Sequence, residues 1–268
     1  MPAPGSADLA NELREAIATY LWKQWRAVGA MSSEPPARII VDPEALILMS
    51  LWMVTREQRL SDLLWSWIEV NSSLVSIRRL GNLAERFPDR VQRLLGALAD
   101  GRIQEKKDGR WKSLRSKSDG AFHHRASKTR AAPPQFVSSA TLTLQLRLGL
   151  GVGVKADVLT LLLGTNVGRQ EWSSVSTIAD ALGYTVAATR RAADDLARAK
   201  FILALETGEQ RAQRMFSAQP SSWHSLLNFN FNHPAWGYWP ERYAFVIDAV
   251  SFLEKSEKKE ASDFARDA

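Results

Sequence analysis

Apolar residues recur along most of the chain with the period of an amphipathic α-helix. Between Asp8 and Val28 every fourth residue is apolar, at Leu9, Leu13, Ile17, Leu21 and Trp25. Such spacing places the apolar side chains on one face of a helix. We therefore predict a long N-terminal helix that packs on its own core, a type of helix that also commonly mediates dimerisation.

The same period predicts further helices in the N-terminal half and one at the C-terminal end. They begin near Asp42-Pro43, Ser61, Val75, Arg90 and Pro240. The stretch 135–150 is ambiguous, because its leucines at 142, 144, 146, 148 and 150 alternate like a strand. Its leucine-rich composition also suits a helix. We favour a helix, since a helical neighbourhood offers a strand no partner.

The pattern from Trp172 to Phe216 predicts two short helices followed by two strands. Ser174 and Thr185 are suitable N-caps, and Gly183 can end the first helix in a left-handed conformation. Phe201 to Leu205 is rich in residues that favour strands, and residues 206–210 resemble a turn. The run 211–216 can then return as a second strand. The inward face of the second helix is expected to consist of Thr189, Ala192, Ala193 and Leu196.

This stretch resembles the winged helix-turn-helix transcriptional regulators of bacteria. The resemblance is limited to the C-terminal half. Two positions depart from the family pattern, which usually has a larger aliphatic residue in place of Ala193 and a glycine in place of Lys200. The implied fold is mainly α, with a helical N-terminal region and a C-terminal winged helix-turn-helix domain that carries a small β-hairpin wing.

In such regulators the second helix of the motif enters the major groove of DNA, which implies a role for residues 185–191. Arg190 and Arg191 are expected to contact bases or phosphates. Ala187 and Ala188 are small enough to permit close approach, and Val186 or Ala187 can pack on a thymine methyl group. The wing would contact the flanking backbone or minor groove. The residues implied in DNA binding are Thr185, Val186, Ala187, Ala188, Arg190, Arg191, Arg211 and Arg214.

A second, degenerate winged helix is one interpretation of residues 61–111, because its helices follow the same order. Residues 105–115 would then form its wing and place four cations near phosphates. The alternative is an ordinary helical bundle, since any pair of amphipathic helices partly fits this template. The four cations are Lys106, Lys107, Arg110 and Lys112.

The positive charge of the chain is concentrated in one segment. Residues 101–134 hold ten Lys or Arg and three acids, a net +7, so the rest of the chain, whose total is +6, carries about −1. Residues 112–134 also have few large apolar side chains, and we expect them to be loosely structured. They can serve as a solvated linker, as a basic arm that binds phosphates without sequence preference, or as both.

The segment after the wing is rich in aromatic residues, which indicate a packed core more than a ligand pocket or a dimer interface.

The chain is predicted to divide into five segments. We expect an N-terminal helix (1–30), a helical domain (38–111), a basic flexible linker (112–134), the winged helix-turn-helix (135–218), and an aromatic-rich segment with a last helix (219–268).

Catalytic and metal chemistry find little support in the sequence. There are no cysteines, which excludes disulfides and thiolate zinc sites. The glycines before Lys155 lack the Ser or Thr that a P-loop requires, because Ala156 follows the lysine. Asp194 and Asp195 are neighbours on a helix and face different directions, so Asp194 is expected to orient Arg190 or Arg191. We predict no enzyme activity, no cofactor and no metal.

Together these features predict a sequence-specific DNA-binding transcriptional regulator. No run of apolar residues is long enough for a membrane span, so we expect a cytoplasmic protein. We further expect a repressor that binds double-stranded DNA as a homodimer; the sequence does not reveal whether it has a small-molecule effector. The alternative is a winged helix that only binds protein, and a third reading is RNA binding through the basic segment.

Overall fold

The computed structural model describes residues 5–115, 131–136, 138–166, 170–207, 213–227 and 235–267. For 207, 213 and 258–267 it describes the backbone alone. The expected basic segment therefore lies largely outside the described residues.

The first half of the chain is helical in every element that is described. The predicted helices are present, with boundaries shifted by a few residues. They are α1 (Ser6–Ala27), α2 (Pro43–Met53), α3 (Arg59–Asn71), α4 (Ile77–Ala84) and α5 (Asp89–Lys106), with short 3₁₀ helices at Ser72–Leu74 and Gly109–Leu114.

Residues 105–115 do not form the wing that the second-winged-helix interpretation of residues 61–111 requires. Helix α5 continues through Gly101 to Lys106, and a 3₁₀ helix follows. Gly101 does not break the helix but permits close packing, since a Cβ there would lie 2.9 Å from the Trp65 ring. Trp111 is fully buried and donates a hydrogen bond to the Ser72 hydroxyl, which holds the 3₁₀ helix on the core. Residues 61–111 therefore form a helical bundle without a hairpin.

The second half combines helices with a small antiparallel sheet. Residues 142–150 are helical, as we favoured. The sheet has the order β1-β3-β2, and Glu206 lies opposite Arg214. The elements are α6 (Leu142–Leu150), α7 (Val154–Thr165), β1 (Ser173–Ser174), α8 (Val175–Leu182), α9 (Val186–Arg198), β2 (Leu203–Thr207), β3 (Gln213–Ser217), α10 (Pro220–Leu227) and α11 (Trp239–Asp267).

The two terminal helices pack against each other. Helix α11 runs antiparallel to α1, since Gln24 donates to the Tyr243 hydroxyl at 2.5 Å and Arg14 pairs with Glu254. Tyr243 is buried in the same core as α1 to α5. The last helix therefore completes the N-terminal bundle. Of the aromatic residues noted after the wing, Trp223, Trp236 and Trp239 are buried, as expected of a core, whereas Phe229 and Phe231 lie outside the described residues.

A second core lies between α7, α8, α9 and the sheet. Leu182, Ala193 and Phe216 are among its fully buried members. Ile40, from the segment before α2, also packs into it. The N-terminal half thus contributes directly to the core under α9.

A fully buried ionic network joins the two cores. Arg79 donates to Asp42 and Glu44 at 2.5 to 2.6 Å, and Arg147 donates to Glu44 and Asp157 at 2.7 to 2.9 Å. Burial alone would lower the pKa of Arg147, but its carboxylate partners raise it well above the usual value. Burial opposes the charge on Asp157 as well, yet Arg147 keeps its pKa low. Arg147 and Asp157 consequently keep each other charged at neutral pH.

This network reaches the turn before α9. The Tyr184 hydroxyl donates to Asp157 at 2.7 Å, and Arg79 Nε donates to the Leu182 carbonyl at 2.6 Å. Burial is the main cause that raises the pKa of Tyr184, so the hydroxyl keeps its proton. The network therefore fixes how the α8–α9 turn sits on the N-terminal bundle.

Candidate nucleic-acid interface

Helix α8 has the termini that the sequence predicts. The Thr177 N–H donates to the Ser174 hydroxyl at 3.1 Å, which caps the N-terminus. Gly183 ends the helix with φ of +68°, in the left-handed region. A Cβ at Gly183 would also lie 2.6 Å from Leu83, so the turn packs closely on α4. Both the backbone conformation and the packing favour glycine at this position.

Helix α9 buries one face and leaves the opposite face open. The Ala188 N–H donates to the Thr185 hydroxyl at 3.3 Å, so Thr185 is the N-cap as predicted. The expected inward residues are all buried. They are Thr189, Ala192, Ala193 and Leu196.

The open face of α9 carries two arginines that make no contact with acids. Arg190 and Arg191 are exposed, and within the described ranges neither has a hydrogen bond or an ion pair. Thr185, Val186 and Ala187 are exposed beside them, and Ala188 is half-buried. The structure thus brings together all six residues that the sequence predicted for this helix. The surface is cationic, and its other side chains are small.

The acid that we expected to orient these arginines binds another residue. Asp194 pairs with Arg214 at 2.7 Å, so the predicted link to Arg190 or Arg191 is wrong. The cause is the strand register: Arg214 and the buried Phe216 are two apart on β3, so both point towards α9. Arg214 also pairs with Glu206 at 3.2 Å. Two acids therefore offset the charge of the one wing arginine that is described; Arg211 lies outside the described residues.

A groove of about 260 Å³ separates the start of α9 from the sheet. Arg190 lines one side, and Arg214 lines the other. Val186 and Phe216 supply apolar surface between them. Asp194 also lines the groove and pairs there with Arg214, so Arg190 is the unpaired cation of this lining, next to the exposed face of α9.

Two of the four cations proposed for a second wing pair with acids. Lys106 pairs with Glu69, and Arg110 pairs with Asp108 at 2.7 Å. Hydrogen bonds from Arg110 are the main cause that lowers the pKa of Asp108 to about 2. Lys107 and Lys112 are exposed. Two of the four charges are thus already matched by acids.

In the part of the chain that the structure describes, no three His, Cys, Asp or Glu residues are grouped so that they could hold a metal ion. Within the same ranges, no helix has the length and apolar character that crossing a membrane requires.

The chain matches no family model, no curated protein and no solved structure closely enough to assign it to a family. Its function therefore has to be argued from the geometry of the described residues.

Proposed function

We propose that this chain is a sequence-specific DNA-binding transcriptional regulator and that α7 to β3 form a winged helix-turn-helix. The order helix, strand, helix, helix, strand, strand supports this interpretation, as does the glycine turn between α8 and α9. The observation that carries the proposal is the open face of α9. Two unpaired arginines project there beside small side chains, on a helix whose other face is held by a core.

The open face suits the major groove, which is wide enough to admit an α-helix. Arg190 or Arg191 would donate two hydrogen bonds to a guanine or bind a phosphate. Val186 and Ala187 can contact a thymine methyl group without holding the helix away from the bases. In this proposal Arg190 and Arg191 contribute both affinity and base preference.

Arg214 has a different role in this proposal. Because Asp194 and Glu206 already bind it, its charge adds less to the attraction for phosphates than an unpaired arginine would. Its ion pair with Asp194 instead fixes the sheet against α9. Repression is the outcome that we propose for binding, since a protein on the duplex blocks access to that site.

The proposal is tested by removing one α9 arginine at a time. Duplexes selected from a random pool by the wild-type protein supply the probe. We expect Arg190→Ala to weaken binding to selected duplexes by about 1 to 3 kcal/mol, roughly 5- to 150-fold. Its affinity for random duplex should change less. Gel shifts measure both affinities, and thermal unfolding checks that the fold is intact.

Arg90→Ala is the matched control, because Arg90 is an exposed arginine on α5 and the substitution removes the same charge. It should leave the affinity for selected duplexes close to the wild-type value. The proposal that α9 recognises DNA sequence is wrong if the affinity for selected duplexes is the same for Arg190→Ala, Arg191→Ala and Arg90→Ala.

A protein-interaction module is the second candidate, and one observation favours it. Phe201, Leu203 and Leu205 are exposed at or beside β2, an edge strand of the sheet. Apolar strand edges of this kind can pair with a protein partner. The salt dependence of binding distinguishes the two candidate functions, because counterion release makes the affinity for DNA fall steeply as ionic strength rises.

A further inference from the structure

Helix α11 has an exposed stripe on the side that faces away from the core. Its inward residues Tyr243, Ile247 and Val250 are buried. The outward residues follow at intervals of three or four, so they lie along one helix face. They are Arg242, Phe245, Asp248, Phe252 and Lys255, and all five are exposed.

The two phenylalanines of this stripe are unusually open to solvent. Phe245 is 73% exposed and Phe252 is 69% exposed, and Tyr20 on the adjoining α1 is 43% exposed. At roughly 200 Å² for an aromatic residue, the three together present roughly 370 Å² of mainly apolar surface. A standard interface buries roughly 800 Å² per partner, of which roughly 450 Å² is apolar. The aromatic residues alone therefore supply most of the apolar area that a stable dimer needs.

This face of α11 has a groove beside its protruding phenylalanines. An apolar groove of about 460 Å³ adjoins Phe245, between α1 and α11. Ile17, Tyr20 and Val246 contribute to its lining. An interface with two-fold symmetry uses the same patch on both subunits, so that patch must hold both a knob and a recess. This face has both.

The charges along the stripe also match a second copy. A cation, Arg242, precedes Phe245 by three residues, and an anion, Asp248, follows it by three. When two such helices cross antiparallel with the two-fold axis at Phe245, Arg242 of each copy lies near Asp248 of the other. Within the described ranges neither Arg242 nor Asp248 has an ion pair, although Arg242 lies over the ring of Trp239. Both charges are thus available to a partner.

We infer that this stripe binds a second copy of the chain, with the two-fold axis passing by Phe245. The contact pairs Phe245 with its equivalent, flanked by two reciprocal Arg242–Asp248 ion pairs. Helix α1 borders the interface through Tyr20 and Ile17 but does not form its centre. The inference does not depend on DNA binding, and its test uses no DNA.

The first test measures the mass of the full chain by sedimentation as its concentration is raised. We expect the wild-type protein to pass from monomer to dimer. Phe245→Asp should weaken this self-association by at least tenfold, because it places two carboxylates at the axis. Leu226→Asp is the control, since Leu226 on α10 is 71% exposed and lies off the stripe. It should leave the dimer unchanged.

The second test exploits the reciprocity of the ion pairs. Arg242→Asp leaves two anions per copy and Asp248→Arg leaves two cations, so each variant alone should dimerise at least tenfold more weakly. An equimolar mixture of the two should recover dimers, because each copy now carries the charges that the other lacks.

Only a contact between two copies of this face gives that recovery. A wild-type chain that stays monomeric at the highest concentration measured would overturn the inference. So would a mixture of the two charge variants that associates no better than either alone. Neither result would alter the proposal for α9.

Discussion

Lys200 holds a left-handed backbone between α9 and β2. Its φ is +60°, and its N–H donates to the Ala197 carbonyl at 2.9 Å. This conformation costs a residue with a Cβ about 1 to 2 kcal/mol, whereas glycine adopts it readily. The sequence shows lysine where the winged-helix pattern usually has glycine, and the structure shows why glycine suits that position.

Lys200→Gly should therefore raise the free energy of unfolding, by about 0.5 to 1 kcal/mol. The gain is smaller than the relieved strain, because glycine also makes the unfolded chain more flexible. Urea denaturation measures the change. Lys200→Ala keeps both the Cβ and the strain, so it should bring no comparable gain. A glycine variant less stable than the wild type would contradict this interpretation.

Other single residues differ in how far the sequence could predict them. The caps Ser174 and Thr185 depend on neighbours within three residues, so local pattern was sufficient. The partner of Asp194 depends on the register of β3, which the sequence does not specify. The buried network had a signal that we did not use: Asp42 and Glu44 stand within an otherwise apolar run. A charge in such a run needs a buried partner.

At the scale of elements, the apolar period predicted the helices but not the residues at which they end. Gly101 lies within α5, where the Trp65 ring leaves no room for a side chain, and it does not end the helix. A glycine can mark a turn or a close approach, and the sequence alone does not distinguish the two. Gly183, in contrast, fulfils both roles.

The stripe on α11 shows a further limit, whereas the buried face of α9 agrees with the prediction. The apolar period does not tell which residues another part of the chain will cover when apolar residues occur on both sides of a helix. Phe245 and Phe252 are exposed only because α11 packs on α1 through Tyr243 and Ile247. Those helices are at opposite ends of the chain, so their contact could not be predicted from local pattern.

At the scale of the whole molecule, the ionic network couples the helical bundle to the unit that holds α9. Arg147 is central to it, because its guanidinium binds Glu44 from α2 and Asp157 from α7. Both carboxylates are buried; Glu44 also pairs with Arg79, whereas among the described residues the ion pair of Asp157 is made by this one cation. Removing that cation leaves uncompensated negative charge in a region without water access.

Arg147→Met should lower the free energy of unfolding by about 3 to 5 kcal/mol, as expected when one partner of a buried ion pair is lost. Chemical denaturation at neutral pH measures this loss. Arg90→Met is the control, because Arg90 is exposed, and it should change stability by less than about 0.5 kcal/mol. A loss below about 1 kcal/mol for Arg147→Met would mean that the network does not hold the two cores together.

The central claim is that the chain recognises DNA sequence, and one gel shift tests it most directly. The probe is the duplex just upstream of the chain's own gene, because regulators commonly control themselves, with random duplex as competitor at two salt concentrations. The account predicts a discrete complex that resists the competitor and weakens as salt rises, since phosphate contacts release counterions. No complex, or one that random duplex abolishes at both salt concentrations, would contradict sequence-specific binding to this DNA and favour a protein partner.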